Sequence, residues 1–236
     1  MKPLTGALLE RRATTHFKPE PVPDEYLEAI LGLGGQAPSG YNLQPWRFVV
    51  VRDKENRRRL RKAAFDQEKV AEAPVVIVAF GIRDEWKKYI DAIFQEGARR
   101  GIGTPEMVPK IRQQAADFLE KIVSQPVWIN RHTMIAVTTL MLVAETYGLD
   151  TAPMEGFDPE AVKRELNLPD NAEVVCLPAI GFAKEPDKPY GGRLAVEEFV
   201  HSERYGQRWN GKKSGPPGRE MSEQIERKAN ETLQPA

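Results

Sequence analysis

The sequence predicts one domain that mixes helices and strands, and three observations support this prediction. Residues 24–33 carry apolar side chains at helical spacing, whereas residues 74–81 form a nearly continuous apolar run of the length of a buried strand. Residues 1–200 contain neither an internal repeat nor a low-complexity linker, so residues 1–205 are expected to share one core. Residues 206–236 are polar and are expected to form an extended C-terminal tail.

Helical and strand patterns alternate along the chain. The predicted elements are, in order, a short helix at 4–12, a helix at 24–33, a strand at 47–52, a charged amphipathic helix at 53–73, a buried strand at 74–81, a polar helical excursion at 84–125, a central helix at 133–147 buried on all sides, a helix capped by Asp158, and a strand at 173–183. The excursion is expected to act as a lid or as an arm that faces a second subunit.

Composition narrows the possible partners and the compartment. The chain has 34 Lys and Arg residues against 34 Asp and Glu residues, so its balance favours neither nucleic acid nor an anionic membrane as a partner. The N-terminus lacks the apolar stretch of a signal peptide, and we expect a cytoplasmic protein. Cys176 is the single cysteine, which excludes intrachain disulfides, and its apolar surroundings predict a core position.

The segment PSGYNLQPW at residues 38–46 concentrates polar groups in a loop that leads into a strand. Ser39, Asn42 and the loop N–H groups could hydrogen-bond the polar edge of a flat ligand, with Trp46 anchoring the loop from below. The alternative is that Asn42 and Gln44 satisfy the loop's own backbone and that Trp46 belongs to the core. Taken alone, the segment favours this alternative, because Asn and Ser are ordinary turn residues.

The motifs that would give the protein its own reactive group are missing from the sequence. There is no Gly-x-Gly-x-x-Gly fingerprint, no P-loop and no serine nucleophile elbow. The three histidines are far apart and have no neighbouring His or Cys at helical spacing, so no metal site is predicted; they are His16, His132 and His201. An organic cofactor would then supply the reactivity. Arginines beside glycines, as in Gly191-Gly192-Arg193, suit a phosphate group.

Four segments together resemble the FMN-binding segments of the nitroreductase family. They are LERRATTHF at 9–17, PSGYNLQPW at 38–46, PMEGFD at 153–158 and GGRL at 191–194. The resemblance covers roughly residues 4–200, in the family's order and at similar spacing. It implies an α+β fold of three layers, with a central, mostly antiparallel sheet flanked by helices, in an intertwined homodimer.

The resemblance also implies an activity. Members of the family take a hydride from NADH or NADPH onto FMN and pass electrons to nitroaromatics, quinones or similar small acceptors by a ping-pong mechanism. One alternative is a specialised relative, either a reductive dehalogenase of halotyrosines or a flavin-cleaving enzyme. A non-catalytic flavin-binding protein is a further alternative.

The roles of individual residues are likewise implied by the resemblance. Two arginines would hold the FMN phosphate with their neighbours beside it: Arg11 and Arg193, with Arg12, Ala13 and Gly192. One loop would line the ribityl chain and the ring, often from the partner subunit: Pro38, Ser39, Gly40 and Asn42. Residues near the pyrimidine edge would be Thr15, Gln67 and Lys69. The turn at flavin N5 would consist of Pro153, Met154, Glu155 and Gly156, with the backbone of Glu155 and Gly156 in the catalytic position.

The chain departs from the family pattern at three places. Ala13 replaces a serine, which removes one hydroxyl from the phosphate site. Thr15 and Gly191 stand where basic residues are common, so Lys69 is left as the cation expected near the pyrimidine edge. All three changes weaken the electrostatics around the flavin, and lower FMN affinity and reduction potential are expected.

Overall fold

The computed structural model describes residues 1–184 and 191–209, and most of the predicted tail lies outside these residues. The helices are α1 (Leu4–Glu10), α2 (Asp24–Gly34), α3 (Lys54–Ala63), α4 (Glu68–Glu72), α5 (Trp86–Arg99), α6 (Val108–Asp117), α7 (Gln125–Thr146) and α8 (Pro159–Leu166). The strands are β1 (Trp46–Val51), β2 (Val75–Ile82), β3 (Asp150–Ala152), β4 (Ala172–Cys176) and β5 (Ala179–Gly181).

A five-stranded antiparallel sheet forms the middle layer. Its order is β1-β2-β5-β3, and β4 also pairs with β2, so β1 and β3 lie at opposite edges. On β2, Val76 and Val78 pack toward α3 and α8, whereas Val75 and Ile77 pack toward α2 and α7. Burial of both faces explains why this strand is almost entirely apolar. The predicted three-layer α+β fold is confirmed.

The strand predicted at 173–183 is broken in two. Pro178 has no N–H and cannot donate to the sheet, although its carbonyl accepts a hydrogen bond of 2.9 Å from the Ile77 N–H. The Leu177 N–H turns instead to the carbonyl of Met154, also at 2.9 Å. This interruption ties the turn at residues 153–157 to the centre of the sheet.

The single helix predicted at 53–73 was also wrong, because α3 and α4 are separate. Phe65 and Asp66 adopt left-handed backbone angles, with φ of 51° and 56°, and the Asp66 N–H donates to the carbonyl of Arg61. Non-glycine residues seldom adopt such angles, and neither glycine nor proline marks this break in the sequence. The break frees Gln67 from helical geometry and turns its side chain toward the turn at residues 153–157.

The central helix α7 is longer than predicted and is not buried on all sides. It begins at Gln125 rather than Thr133, and Ile135 on its outer face is 40% exposed. By length and composition, α7 is the one helix among the described residues that could span a membrane. Its inner face packs on the sheet and on α2, however, as expected for a core helix.

The excursion at residues 84–125 consists of α5, a short 3-10 turn, α6 and one π-helical turn, Phe118–Ile122. Ile90 and Leu119 pack against the first turns of α7, so the excursion shares a hydrophobic cluster with the domain. Its function as a lid or as an arm toward a second subunit stays a prediction.

Cys176 lies in the core, and burial raises the pKa of its thiol from 9.0 to about 12. We therefore expect the folded protein to resist thiol reagents at pH 8, whereas the protein unfolded in denaturant should react once per chain. Because the unfolded thiol ionises first as the pH rises, folding stability should also fall above about pH 9. Rapid modification of the native protein would contradict this position for Cys176.

Candidate functional site

The segment after α1 runs along the edge strand β3. Ala13 pairs with Thr151 in parallel orientation, and the Thr14 N–H donates to the carbonyl of Thr151 at 3.1 Å. Because the pairing is parallel, it places Arg11 at this edge of the sheet, on the side where β3 begins. The Nη1 atom of Arg11 is buried and has no hydrogen-bond partner among the described residues. A buried guanidinium nitrogen without a partner is costly, and an anion would satisfy it.

The turn at residues 153–156 follows β3 directly and is held from two sides. Gln67 Nε2 donates to the carbonyl of Gly156 at 2.7 Å, and the carbonyl of Met154 accepts from Leu177. The side chain of Met154 is buried, whereas Glu155 is exposed. Within the described part of the chain, the backbone N–H of Glu155 donates to no group, so this donor remains available to a ligand.

Helix α4 completes this group of segments. Phe17 N–H and the His16 ring both contact the carboxylate of Glu72, with 3.1 Å from His16 Nδ1 to Glu72 Oε2. Glu68 also approaches, and the three potential ligand atoms lie within 4.8 Å of one another. Histidine spacing along the sequence did not predict this cluster. It is exposed, and the His16–Glu72 hydrogen bond accounts for it without a metal ion.

Residues 11–17, 67–72 and 151–156 are thus joined by direct contacts at the β3 edge. We call this set of three segments the β3-edge cluster. It contains ten of the predicted cofactor-binding residues, of which the last two are also the predicted catalytic residues: Arg11, Arg12, Ala13, Thr15, Gln67, Lys69, Pro153, Met154, Glu155 and Gly156.

The loop at residues 38–46 lies elsewhere, because it leads into β1 at the opposite edge of the sheet. Ser39 Oγ accepts from the Gln44 N–H at 2.9 Å, and Gln44 Nε2 donates to the carbonyl of Asn42 at 3.0 Å. Trp46 is buried in the core. The side chains of Ser39 and Gln44 therefore support the loop's own backbone, and Trp46 belongs to the core. This agrees in part with the alternative stated from the sequence.

The same loop carries an unusual concentration of left-handed residues. Tyr41, Asn42 and Gln44 have φ of 55°, 54° and 46°. Such angles are uncommon outside glycine and often accompany functional sites. The loop packs against α7, since a Cβ atom added to Gly40 would lie only 3.2 Å from Trp128 Nε1.

The last predicted segment lies just after residues 185–190, which the structure does not describe. Gly192 has a φ of 76°, and Arg193 is exposed, with its Nη1 donating to the carbonyl of Gly192 at 2.6 Å. A joint role of Arg193 and Arg11 around one phosphate stays a prediction.

Several residues near the loop were not singled out from the sequence. Trp128, Arg131 and His132 lie on one side of α7 and line a cavity of about 560 Å³ together with Gly40 and Tyr41. Their i, i+3 and i+4 spacing was the available signal, but the helix was expected to begin only after them. Phe65, which is 67% exposed beside Gly156, was missed because nothing marked the break between α3 and α4.

The β3-edge cluster lies on a three-layer α+β domain, and comparison with known proteins identifies the family of this domain. The chain belongs to the nitroreductase family, whose model matches residues 8–182. The resemblance stated from four sequence segments is therefore confirmed.

Three similar proteins illustrate this relationship. A Thermus thermophilus protein named NADH dehydrogenase is 38% identical over 194 residues, which cover 82% of this chain and 93% of that protein. The Bacillus subtilis protein MhqN, whose name places it with NAD(P)H nitroreductases, is 34% identical over 204 residues, covering 85% and 98%. A structure from Exiguobacterium sibiricum, solved in complex with FMN, has a TM-score of 0.75 at 24% identity and covers 86% and 98%.

Proposed function

We propose that this protein is an FMN-dependent NAD(P)H oxidoreductase that reduces nitroaromatics, quinones or similar small organic acceptors. One observation carries the proposal: the β3-edge cluster places the unpartnered Arg11 Nη1 and the available Glu155 N–H along the same edge of the sheet, Arg11 on the side where β3 begins and Glu155 after β3 ends. An anionic group and a ring with a hydrogen-bond acceptor, both present in FMN, suit these two donors. The names of the NADH- and NAD(P)H-dependent relatives support the choice of electron donor.

When bound, FMN would supply the two-electron chemistry, accepting a hydride from NADH or NADPH and passing electrons to the acceptor. The protein's own residues have other tasks. Arg11 binds the phosphate, and Gln67 fixes the 153–156 turn through its hydrogen bond to the carbonyl of Gly156. The Glu155 N–H then orients the ring, and Lys69 supplies positive charge near the pyrimidine edge. None of these roles requires a side chain that gains or loses a proton.

We further infer that a second copy of the chain completes the site. The loop at 38–46 and the β3-edge cluster start from opposite edges of the sheet, so a loop from a partner is the simpler source of contacts to the same flavin. Apolar side chains are exposed on α1, where such a partner could cover them; they are Leu4 and Leu8.

A homodimer that binds FMN between its subunits should be stabilised by the cofactor. We expect a dimeric mass in solution and a melting temperature that rises with FMN concentration, because a ligand of the native state stabilises it by mass action. Light scattering and thermal unfolding measure the two quantities. A protein that remains monomeric when saturated with FMN would contradict the shared site.

Steady-state kinetics test whether one flavin serves both substrates in turn. With nicotinamide and acceptor using the same site in alternation, double-reciprocal plots at several acceptor concentrations should be parallel. Intersecting lines would indicate a ternary complex and therefore a second substrate site.

The deciding experiment for the proposed function is spectroscopic. Purified protein should be yellow, or become so with added FMN, and its flavin absorbance should bleach with NADH or NADPH under anaerobic conditions. Yellow protein that does not bleach would indicate a flavin-binding protein without this activity. Protein that stays colourless with added FMN would contradict the proposal altogether.

A further inference from the structure

The cavity of about 560 Å³ lies where the 38–46 loop, the π-helical turn and the first turns of α7 meet. Aromatic rings form its walls. The Tyr41 and Phe118 ring centroids are 5.9 Å apart, and those of Trp128 and His132 are 4.6 Å apart. Walls of this kind suit a flat ligand, which gains both burial and ring contacts.

Two side-chain nitrogen atoms in the wall of this cavity lie close to Gly40. Trp128 is 5% exposed, and its Nε1–H has no hydrogen-bond partner among the described residues. A Cβ atom on Gly40 would lie 3.2 Å from Trp128 Nε1 and 3.6 Å from His132 Nε2. Glycine at position 40 therefore leaves room for both nitrogens, which a side chain there would crowd.

The orientation of the histidine ring follows from its other nitrogen. His132 Nδ1 lies 2.8 Å from the carbonyl of Trp128, and a carbonyl only accepts, so Nδ1 carries the proton and donates. This bond leaves Nε2 on the side of the cavity. The Trp128 indole is a donor only, so a ligand that satisfies it must present an acceptor such as an oxygen atom.

The charge at the cavity is positive. Arg131 lines it and is exposed, and the guanidinium forms neither a hydrogen bond nor an ion pair with the described residues. The cavity lining that the structure describes contains no Asp or Glu to neutralise this charge. A guanidinium in this situation favours a carboxylate or another planar anion.

We propose that this cavity binds the electron acceptor and selects a flat aromatic molecule that bears an anionic substituent. The ring lies between the aromatic walls, one oxygen accepts a hydrogen bond from Trp128 Nε1, and the anionic group pairs with Arg131. This inference rests on the proposed function, since it treats the ligand as the acceptor of an oxidoreductase. It also rests on a flavin shared between two copies of the chain, since the 38–46 loop and this chain's own β3-edge cluster lie at opposite edges of the sheet. It adds a substrate class that the β3-edge cluster alone does not define.

The test compares two acceptors of similar shape in the FMN-loaded protein, 4-nitrobenzoate and the uncharged 4-nitrobenzamide. Arg131→Gln should lower the preference for the anion, expressed as a ratio of kcat/KM values, by about tenfold, as expected for loss of one charge-assisted hydrogen bond. Arg131→Lys should restore much of the preference. Arg164→Gln on α8, which removes the same charge from a different surface, should leave the ratio unchanged.

Trp128→Phe tests the indole donor while keeping an aromatic ring in place. It should raise KM for both acceptors by a similar factor, with the anion preference retained. An unchanged anion preference in Arg131→Gln would overturn the proposed selection of anions, and an unchanged KM in Trp128→Phe would overturn the role of the indole.

Failure of this inference can be told apart from failure of the proposed function. Flavin content and bleaching by NADH are measured first in each variant, and neither measurement depends on the acceptor. If the unmodified protein binds no flavin or does not bleach, the proposed function fails. Quenching of tryptophan fluorescence by 4-nitrobenzoate, compared between the unmodified protein and Arg131→Gln, then still decides whether the cavity binds the anion.

Discussion

Replacing Arg11 with methionine is expected to weaken FMN binding by about ten- to a hundredfold, the effect of losing a charged hydrogen bond. The same change should leave the cofactor-free protein as stable as before or more stable. The reason is that Arg11 Nη1 is buried without a partner in the described structure, whereas methionine fills a similar volume without a charge. Titration with FMN and thermal unfolding without it measure the two effects.

A fall in FMN affinity without a fall in the stability of the cofactor-free protein would be specific to a binding role of Arg11. Arg12 provides the comparison, since its Nη1 donates to the carbonyl of Glu10 at 3.1 Å, and Arg12→Met should weaken FMN binding less. If Arg11→Met destabilised the cofactor-free protein and left FMN affinity unchanged, Arg11 would be a structural residue and the phosphate would bind elsewhere.

The second large effect is expected at Glu155. Glu155→Pro removes the backbone N–H that we place at flavin N5, whereas Glu155→Ala keeps it and removes only an exposed side chain. Loss of a preorganised donor near a reacting centre slows the chemical step by about a hundredfold or more. We therefore expect flavin reduction by NADH to slow strongly in the proline variant and only modestly in the alanine variant, in single-turnover measurements.

Flavin reduction in the two variants must be compared at equal FMN occupancy and with intact folding, because proline can distort a turn and also restricts the residue before it. The hydrogen bond from Leu177 to the carbonyl of Met154 does not involve the Glu155 N–H, so the anchor of the turn is kept in both variants. Equal damage by alanine and proline would assign the role to the carboxylate. Unchanged reduction in both would place N5 away from this turn.

Elements with strong local signals were predictable from the sequence. The apolar run of β2 and the helical stripe of α2 both appear near the expected positions. Two predicted elements were broken at places that no local sequence signal marks. Phe65 and Asp66 adopt left-handed backbone angles although neither is a glycine. The Leu177 N–H donates outside the sheet, to the carbonyl of Met154, more than twenty residues earlier in the chain. Local patterns do not report such contacts.

The candidate site was predictable where it resembles a family segment and not elsewhere. Arg11, Gln67 and Glu155 were expected together, and the structure places them in one cluster. Trp128 and His132 belong to a helix that was expected to begin later, so their common face could not be anticipated. Which edge of the sheet each segment occupies is a property of the strand order, which the sequence pattern does not contain.

The pairing of Ala13 with Thr151 has a consequence for protein synthesis. Residues 11–17 leave the ribosome among the first, yet their partners on β3 and beyond β5 are made only near the end of the domain. At typical elongation rates of about 5–20 residues per second, this segment stays without its partners for roughly ten seconds or longer. Arg11 therefore reaches its final position only after nearly the whole domain has emerged, and the cofactor can be captured only by a nearly complete chain.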